Sequence, residues 1–314
     1  MDKVAVLMST FNGAKYLSIQ IDSILAQEDV CVDLYIRDDG SSDNTVEIIN
    51  QYASKDKRVH FVPGEPLGVG RSFMTLLMMD IQADYYSFSD QDDYWYPNKL
   101  KAAVEKLNSE SNKMALYCCN QNCVDADGNF LYTRFPLDYQ IPSLIQSVFR
   151  NDLAGCTMLM SGVLRKVVLE KLPPLDFLNF EIHDAWILCV TNIVGKVIFD
   201  PNPFMDFRRH DNTYSDETVS SNRKKSMIII YKERFLRLKK RNFQRRNTVS
   251  KTASYLVDFY GQKISVSDKN DLKLVYRYSG SLMKKMKLLV NKRFQDSIKN
   301  DRIAFYFKVL TNRL

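Results

Sequence analysis

The feature that most restricts this chain is an alternation. Over the first hundred residues, short apolar runs trade places with helical stripes. The runs are "KVAVLM" (3–8), "VDLYIR" (32–37), "RVHFV" (58–62) and "DYYSFS" (84–89). Between them, "AKYLSIQIDSILAQ" (14–27) carries Leu17, Ile21, Ile24 and Leu25 on one face, and "NTVEIINQYA" (44–53) and "GVGRSFMTLLMMDI" (68–81) keep the same spacing. Strands separated by helices of about ten to fifteen residues predict an α/β fold with a parallel, doubly wound sheet.

Past residue 96 the texture is mixed. "YPNKLKAAVEKLN" predicts a helix begun near Pro97. "MALYCC" reads as a strand, and "VDADGNFLY" (124–132) as a hairpin turning at Asp127 and Gly128. "GCTMLMS" (155–161), "GKVIFD" (195–200) and "PFMDFRRH" (203–210) predict three more strands around a helix starting near His183. From about residue 219 the pattern is helical and basic.

Charge divides the chain at the same place. Residues 1–219 hold 19 Lys and Arg against 31 Asp and Glu, a net of −12, whereas residues 220–314 hold 25 against 6, a net of +19. An acidic body with a basic tail points to an anionic surface as partner; nucleic acid is disfavoured, because the body repels it. At 314 residues and 45% hydrophobic content there is material for one large domain with an appendage. No apolar run approaches the roughly 18 residues that span a bilayer, and no secretory signal is visible. Six cysteines (Cys31, Cys118, Cys119, Cys123, Cys156, Cys189) lack zinc spacing and are expected to be reduced, as in a cytosolic protein.

In an open parallel sheet, ligands bind beyond the carboxyl ends of the strands. Three polar segments fall there: "STFNG" (9–13), "RDDGSSD" (37–43) and "SDQDDYW" (89–95). In the last, Asp90, Asp92 and Asp93 crowd three like charges into four positions. Carboxylates spaced D-x-D suit a hard divalent cation such as Mg²⁺ or Mn²⁺, which in turn can grip a diphosphate. Asp38 and Asp39 are placed to hydrogen-bond a nucleoside's base or ribose. Turn chemistry and a helix cap explain "DDGSSD" taken alone, and a solvated loop explains "DQDD". Their recurrence at successive strand ends favours a ligand site.

These segments, with "IHDAWILC" (182–189), resemble the inverting family-2 glycosyltransferases of GT-A fold. The nearer likeness is to bacterial rhamnosyltransferases that build cell-wall and capsular polysaccharide from dTDP-L-rhamnose. It covers about residues 1–215. The resemblance implies that Thr10 and Asn12 line the base pocket, that Asp38 and Asp39 belong to the nucleotide site, and that Asp39 holds the pyrimidine or ribose. Asp90 then faces ribose and metal, and Asp92 ligates the metal; Asp93 is either a further ligand or a helix cap. Asp184 matches the catalytic base, and His183 stands where most members carry Glu. Trp95, His183 and Trp186 are candidates for the acceptor site. In "FRRHDNTYS" (207–215), His210 is a candidate third metal ligand, with Arg208 and Arg209 on the diphosphate. "PLGVGRSF" (66–73) is only a faint glycine fingerprint, with Arg71 a phosphate candidate.

The expected activity is transfer of L-rhamnose from dTDP-β-L-rhamnose to a lipid-linked saccharide acceptor. A UDP-hexose transferase is the alternative, and a metal-dependent nucleotidyltransferase a remote one. The expected division is a catalytic domain at 1–218, with a nucleotide part at 1–115 and an acceptor part at 116–218, then a basic helical region at 219–314. That region carries amphipathic stripes in 223–241 (Ile228, Tyr231, Phe235, Leu238), 282–294 and 301–314. They suit a membrane surface, packing on the catalytic domain, or a homo-oligomer, and so predict a peripheral place at the cytoplasmic face of the membrane.

Overall fold

A computed structural model describes residues 1–178, 183–210, 247–298 and 302–314. Four strands alternate with helices as the periodicity predicts: β1 (Lys3–Thr10), α1 (Leu17–Leu25), β2 (Cys31–Asp38), α2 (Thr45–Lys55), β3 (Val59–Val62), α3 (Val69–Met78) and β4 (Tyr85–Ser89). They pair in parallel in the order β3-β2-β1-β4. β1 is apolar without a break because it is central and covered on both faces. Ala5 and Leu7 enter one core cluster, and Val4, Val6 and Met8 enter the other.

Beyond β4 the sheet becomes mixed. A two-residue β5 (Tyr94–Trp95), α4 (Lys99–Ser109), β6 (Ala115–Val124) and β7 (Phe130–Thr133) are followed by α5 (Leu144–Phe149) and β8 (Met158–Ser161). α6 (Gly162–Glu170), a four-residue α7 (Leu175–Leu178), α8 (His183–Val194) and β9 (Lys196–Arg208) complete the body. β8 runs antiparallel to both β4 and β6, whereas β9 is parallel to β6. "GCTMLMS" is therefore not one strand: Gly155–Thr157 form a single 3₁₀ turn that leads into β8. The two runs at 195–200 and 203–210 are one strand, β9, which spans the proline-containing break with register shifts opposite Cys119 and Asn120. The turn between β6 and β7 includes Gly128 at φ 91°, a value that favours glycine.

The described part of the basic region packs onto this body. It comprises α9 (Thr248–Tyr260), α10 (Val266–Arg277), α11 (Leu282–Val290), α12 (Lys292–Ser297) and α13 (Arg302–Leu310). Leu256, Leu272, Leu288, Phe294, Phe305 and Val309 join the same cluster as Leu7 and Phe88. Phe149 of α5 meets Phe294 at 5.5 Å and Phe305 at 5.8 Å between ring centroids. Each fully buried Leu or Phe contributes about 1.5–3 kcal/mol relative to exposure, so these contacts hold the helices down firmly. Part of the stripes in 282–294 and 301–314 is thus spent on packing. The stripe at 223–241 lies outside the described residues. All six cysteines are free, and all but Cys31 are buried. Among the described residues, no helix is long and apolar enough to cross a membrane.

One close approach fixes the corner between α8 and β9. A Cβ on Gly195 stands 1.9 Å from the Met114 carbonyl oxygen, which also accepts the Lys196 N–H at 3.0 Å. Gly195→Ala is expected to lower the unfolding free energy by roughly 1–3 kcal/mol, the usual cost of forcing atoms into a packed site. A lower urea midpoint at unchanged slope is the expected reading, and an unmoved midpoint refutes it.

Candidate active site

The site lies at the carboxyl ends of β1, β2 and β4, and hydrogen bonds tie their three loops together. Thr10 Oγ1 donates to Asp38 Oδ1 (3.0 Å), and the Asp39 N–H donates to the Thr10 carbonyl (2.8 Å). Asn12, at φ 49°, accepts from the Ser42 N–H at 2.8 Å, and its own N–H donates to Ser41 Oγ at 2.8 Å. Gln91 then joins the third loop to the first. Its Oε1 accepts the Phe11 N–H (2.8 Å) and its Nε2 donates to the Phe11 carbonyl (3.0 Å), a strand-like pair made by a side chain.

Asp38 and Asp39 also hold up this frame. Asp38 takes the Gly40 and Ser41 N–H groups at 3.0 and 2.8 Å, which closes the turn. Asp39 takes the Leu67 and Gly68 N–H groups at 2.6 and 2.8 Å, next to the start of α3, and pairs with Arg37 at 2.8 Å. A carboxylate there suits the positive end of a helix.

The acidic loop gathers as expected. His210 Nε2 lies 2.7 Å from Asp92 Oδ2, so the end of β9 reaches the D-x-D segment. Asp90 is pushed up to about 7, chiefly by burial, then by the charges of Asp92 and Asp184, against a hydrogen bond from the Cys156 thiol. Burial, Asp92 and Asp90 raise Asp93 well above the carboxylate range, although the Arg208 N–H donates to its Oδ1 at 3.2 Å. Asp93 Oδ2 is buried and has no hydrogen-bond partner among the described residues.

These features fit a divalent cation. Crowded, partly buried carboxylates and an orphaned carboxylate oxygen leave negative charge uncompensated, and oxygen donors suit Mg²⁺ or Mn²⁺. Among the described residues, by contrast, the ligand atoms that gather within 4.8 Å of one another are those of Asp90, Asp93 and Cys156. Burial together with Asp93 and Asp90 pushes the Cys156 thiol well up. It is therefore a protonated donor to Asp90 and a poor ligand for a hard cation. Asp90 and Asp92, with His210, remain the candidate holders.

Asp184 stands at the start of α8, fully enclosed. The Gly155 N–H donates to its Oδ2 at 2.9 Å and the Ala185 N–H to its Oδ1 at 2.7 Å. Burial lifts it to about 7 against those bonds and one from the Asn151 side chain. His183 is wedged between Phe73 and Phe88, at 4.2 and 4.5 Å between centroids. Burial depresses it to about 3, and neither ring nitrogen has a hydrogen-bond partner among the described residues.

Other sequence candidates are placed differently. Trp95 is buried under Lys99, whose Nζ sits 3.5 Å from the ring centroid, and Trp186 packs edge-on against Phe259 at 6.4 Å. Both belong to the interior and not to an open acceptor surface: large apolar rings gained more from burial there. Arg71 bonds the Leu67 carbonyl and pairs with Asp176 at 3.3 Å. Arg209 bonds Tyr132 Oη on the β7 hairpin at 3.0 Å. Arg208 lies beside the acidic loop, with Nε on the Asp92 carbonyl (3.1 Å) and Nη1 on the Ala126 carbonyl (3.2 Å).

Sequence reading missed four participants. Tyr16 is a platform for both His210, at 5.2 Å between centroids, and the Arg208 guanidinium, at 4.8 Å. Cys156 and Gly155 meet the carboxylates only through the antiparallel entry of β8. Gln91 alone had a signal, its place inside "SDQDD".

Known proteins with this arrangement are glycosyltransferases. An uncharacterized glycosyltransferase of Rickettsia typhi is 29% identical over 216 residues, which is 66% of this chain and 64% of the relative. The dTDP-rhamnosyl transferase RfbG of Shigella flexneri is 29% identical over 276 residues, 80% of this chain and 85% of the relative. The chain therefore spans about two thirds of the first relative and most of the second. Among solved structures, S. aureus TarS 1-349 in complex with UDP-GlcNAc superposes with a TM-score of 0.58 at 13% identity, over 98% of this chain and 81% of the other. That likeness concerns the GT-A fold. The family model described as glycosyl transferase family 2 matches residues 5–171, and this chain belongs to that family.

Proposed function

We propose that this protein is an inverting glycosyltransferase that moves L-rhamnose from dTDP-β-L-rhamnose to a hydroxyl of a lipid-linked polysaccharide precursor. Work on such an acceptor places it peripherally at the cytoplasmic face of the membrane. The observation that carries the reading is the pairing of a D-x-D loop with a separate carboxylate, Asp184, which burial raises to about 7 and whose charge helps to raise Asp90. A carboxyl with that affinity is a base matched to neutral pH.

In this reading Thr10, Asn12, Asp38 and Asp39 frame the nucleoside, and Asp90 and Asp92 lie under the diphosphate. Asp90, Asp92 and His210 would hold a Mg²⁺ or Mn²⁺, which would supply positive charge toward the diphosphate. Asp184 takes the proton from the acceptor hydroxyl, whose oxygen forms the new bond to the anomeric carbon. The bond from that carbon to the phosphate oxygen breaks, and dTDP leaves with the electron pair. Attack from the face opposite the diphosphate inverts the centre and gives an α-L-rhamnoside. The Gly155 and Ala185 N–H groups orient Asp184, and the neutral His183 ring supports the backbone at Gly155, where an added Cβ meets His183 Nε2 at 2.5 Å.

The donor rests on the likeness to the Shigella dTDP-rhamnosyl transferase. A UDP-sugar is the second reading, favoured by the TarS complex with UDP-GlcNAc. Calorimetry with Mn²⁺ separates them: dTDP-rhamnose is expected to bind and UDP-glucose and UDP-galactose to bind weakly, and the reverse order overturns the rhamnosyl reading.

Removing a ligand tests the D-x-D assignment. Asp92→Asn is expected to abolish the metal-dependent part of donor binding; near-normal affinity for the nucleoside diphosphate in Mn²⁺ refutes it. For Asp184→Asn, donor binding is expected to persist while turnover falls by roughly 10²–10⁴, the usual weight of a general base. Because the base works ionised, wild-type kcat is expected to rise with pH through about 7. The residual activity of Asp184→Asn should lack that limb, and a limb that survives puts the base elsewhere.

His183 adds a stability test. Its affinity for protons is lower folded, about 3, than in its ordinary state, 6.5. The unfolded chain therefore binds the proton first. The stability that His183 contributes is complete above pH 6.5 and is lost as pH falls toward 3, by up to roughly 1.4 kcal/mol per unit. Urea midpoints of wild type and His183→Phe across that window should diverge in slope, and parallel curves rule the assignment out.

A further inference from the structure

α11 carries two apolar stripes, and the core uses only one. Leu288 points inward and is buried, whereas Leu282, Met283, Met286 and Val290 are between 50% and 70% exposed. At 100° per residue these four fall within about a quarter-turn-wide face. The C-terminal end of α13 lies alongside, since Lys285 Nζ donates to the Leu310 carbonyl at 3.1 Å. Phe307 and Leu310 there are 47% and 54% exposed. Six large apolar side chains on two adjoining helices are more than scattered exposure explains.

Within these two helices the charge is of one sign. α11 reads "LMKKMKLLV" and α13 "RIAFYFKVL", with five basic residues between them and no acid. We infer that this face of α11 and α13 docks on a bilayer containing anionic phospholipid, with Leu282, Met283, Met286, Val290, Phe307 and Leu310 entering the headgroup boundary. The inference deepens the proposed function, and rests on its lipid-linked acceptor only for its purpose. A second copy of the chain is the weaker occupant, because pairing two such faces sets lysines against lysines. Lipid phosphates complement those lysines, while apolar side chains gain by leaving water. On the same spacing Lys287 and Lys285 flank the stripe on its two sides, so that their stems can lie along the apolar boundary while the ammonium groups meet the headgroups; Lys284 lies on the far face beside Leu288.

Flotation of the full-length protein with phosphatidylcholine vesicles, with and without phosphatidylglycerol, tests this. Wild type is expected to float with the anionic vesicles and to release as salt rises. Met283→Glu with Met286→Glu places acids on the exposed stripe without touching the core, and is expected to weaken vesicle binding by about tenfold or more. Its thermal midpoint and its nucleotide binding with Mn²⁺ should stay at wild-type values. Lys287→Gln should weaken binding and flatten its salt dependence. Undiminished flotation of the Met variant, no flotation of wild type, or a wild-type dimer in sedimentation that the Met variant loses each overturns the inference. Nucleotide binding is read separately, so failure of the docking face and failure of the transferase reading give different results.

Discussion

Four carboxyl groups share one enclosed place, and most of the architecture around them exists to make that tolerable. Asp90, Asp92, Asp93 and Asp184 come from two distant parts of the chain, and three of them have raised proton affinities: burial penalises charge on Asp184, and burial together with neighbouring carboxylates penalises it on Asp90 and Asp93. Burying an unpaired charge costs several kcal/mol, so such a cluster is unfavourable for folding alone. Each partner supplied is partial: a backbone N–H from Arg208, a thiol from Cys156, and N–H groups from Gly155 before β8 and Ala185 at the start of α8. The remaining deficit is the chemical signature of a site built to receive positive charge, and it links the fold to the proposed catalysis.

Rigidity comes from elsewhere. The loops after β1, β2 and β4 are joined by Asn12, Asp38, Ser41 and Gln91, whose bonds run almost wholly to backbone groups. Asp39 extends the network to the start of α3. Residues that read as nucleotide contacts thus have structural duties as well. A carboxylate oxygen has more than one lone pair, so the two uses are compatible.

The basic region illustrates a different balance. Its apolar residues serve two surfaces: one buries Leu288, Phe294 and Phe305 against α5 and the catalytic core, and the other leaves the outer face of α11 and α13 in solvent. A helix that spent both faces on the core would have no reason to carry this many lysines.

By itself the sequence determined the parallel half of the sheet. The periodicity of residues 3–89 sets β1 to β4 and their helices, because each element's apolar pattern must match its own repeat. The D-x-D segment could be located because a strand end is where a parallel sheet presents its loops. Tertiary structure decided the rest. Antiparallel pairing of β8 with β4, continued past Ser87↔Leu159, sets Cys156 opposite Asp90, and nothing in "GCTMLMS" announces its direction. β9 carries His210 to Asp92 and Arg208 to Asp93 across more than a hundred residues. The two tryptophans looked like acceptor contacts and became core. Local pattern states which side chains are apolar or charged; which of them meet depends on strand order and register, which only the folded chain specifies.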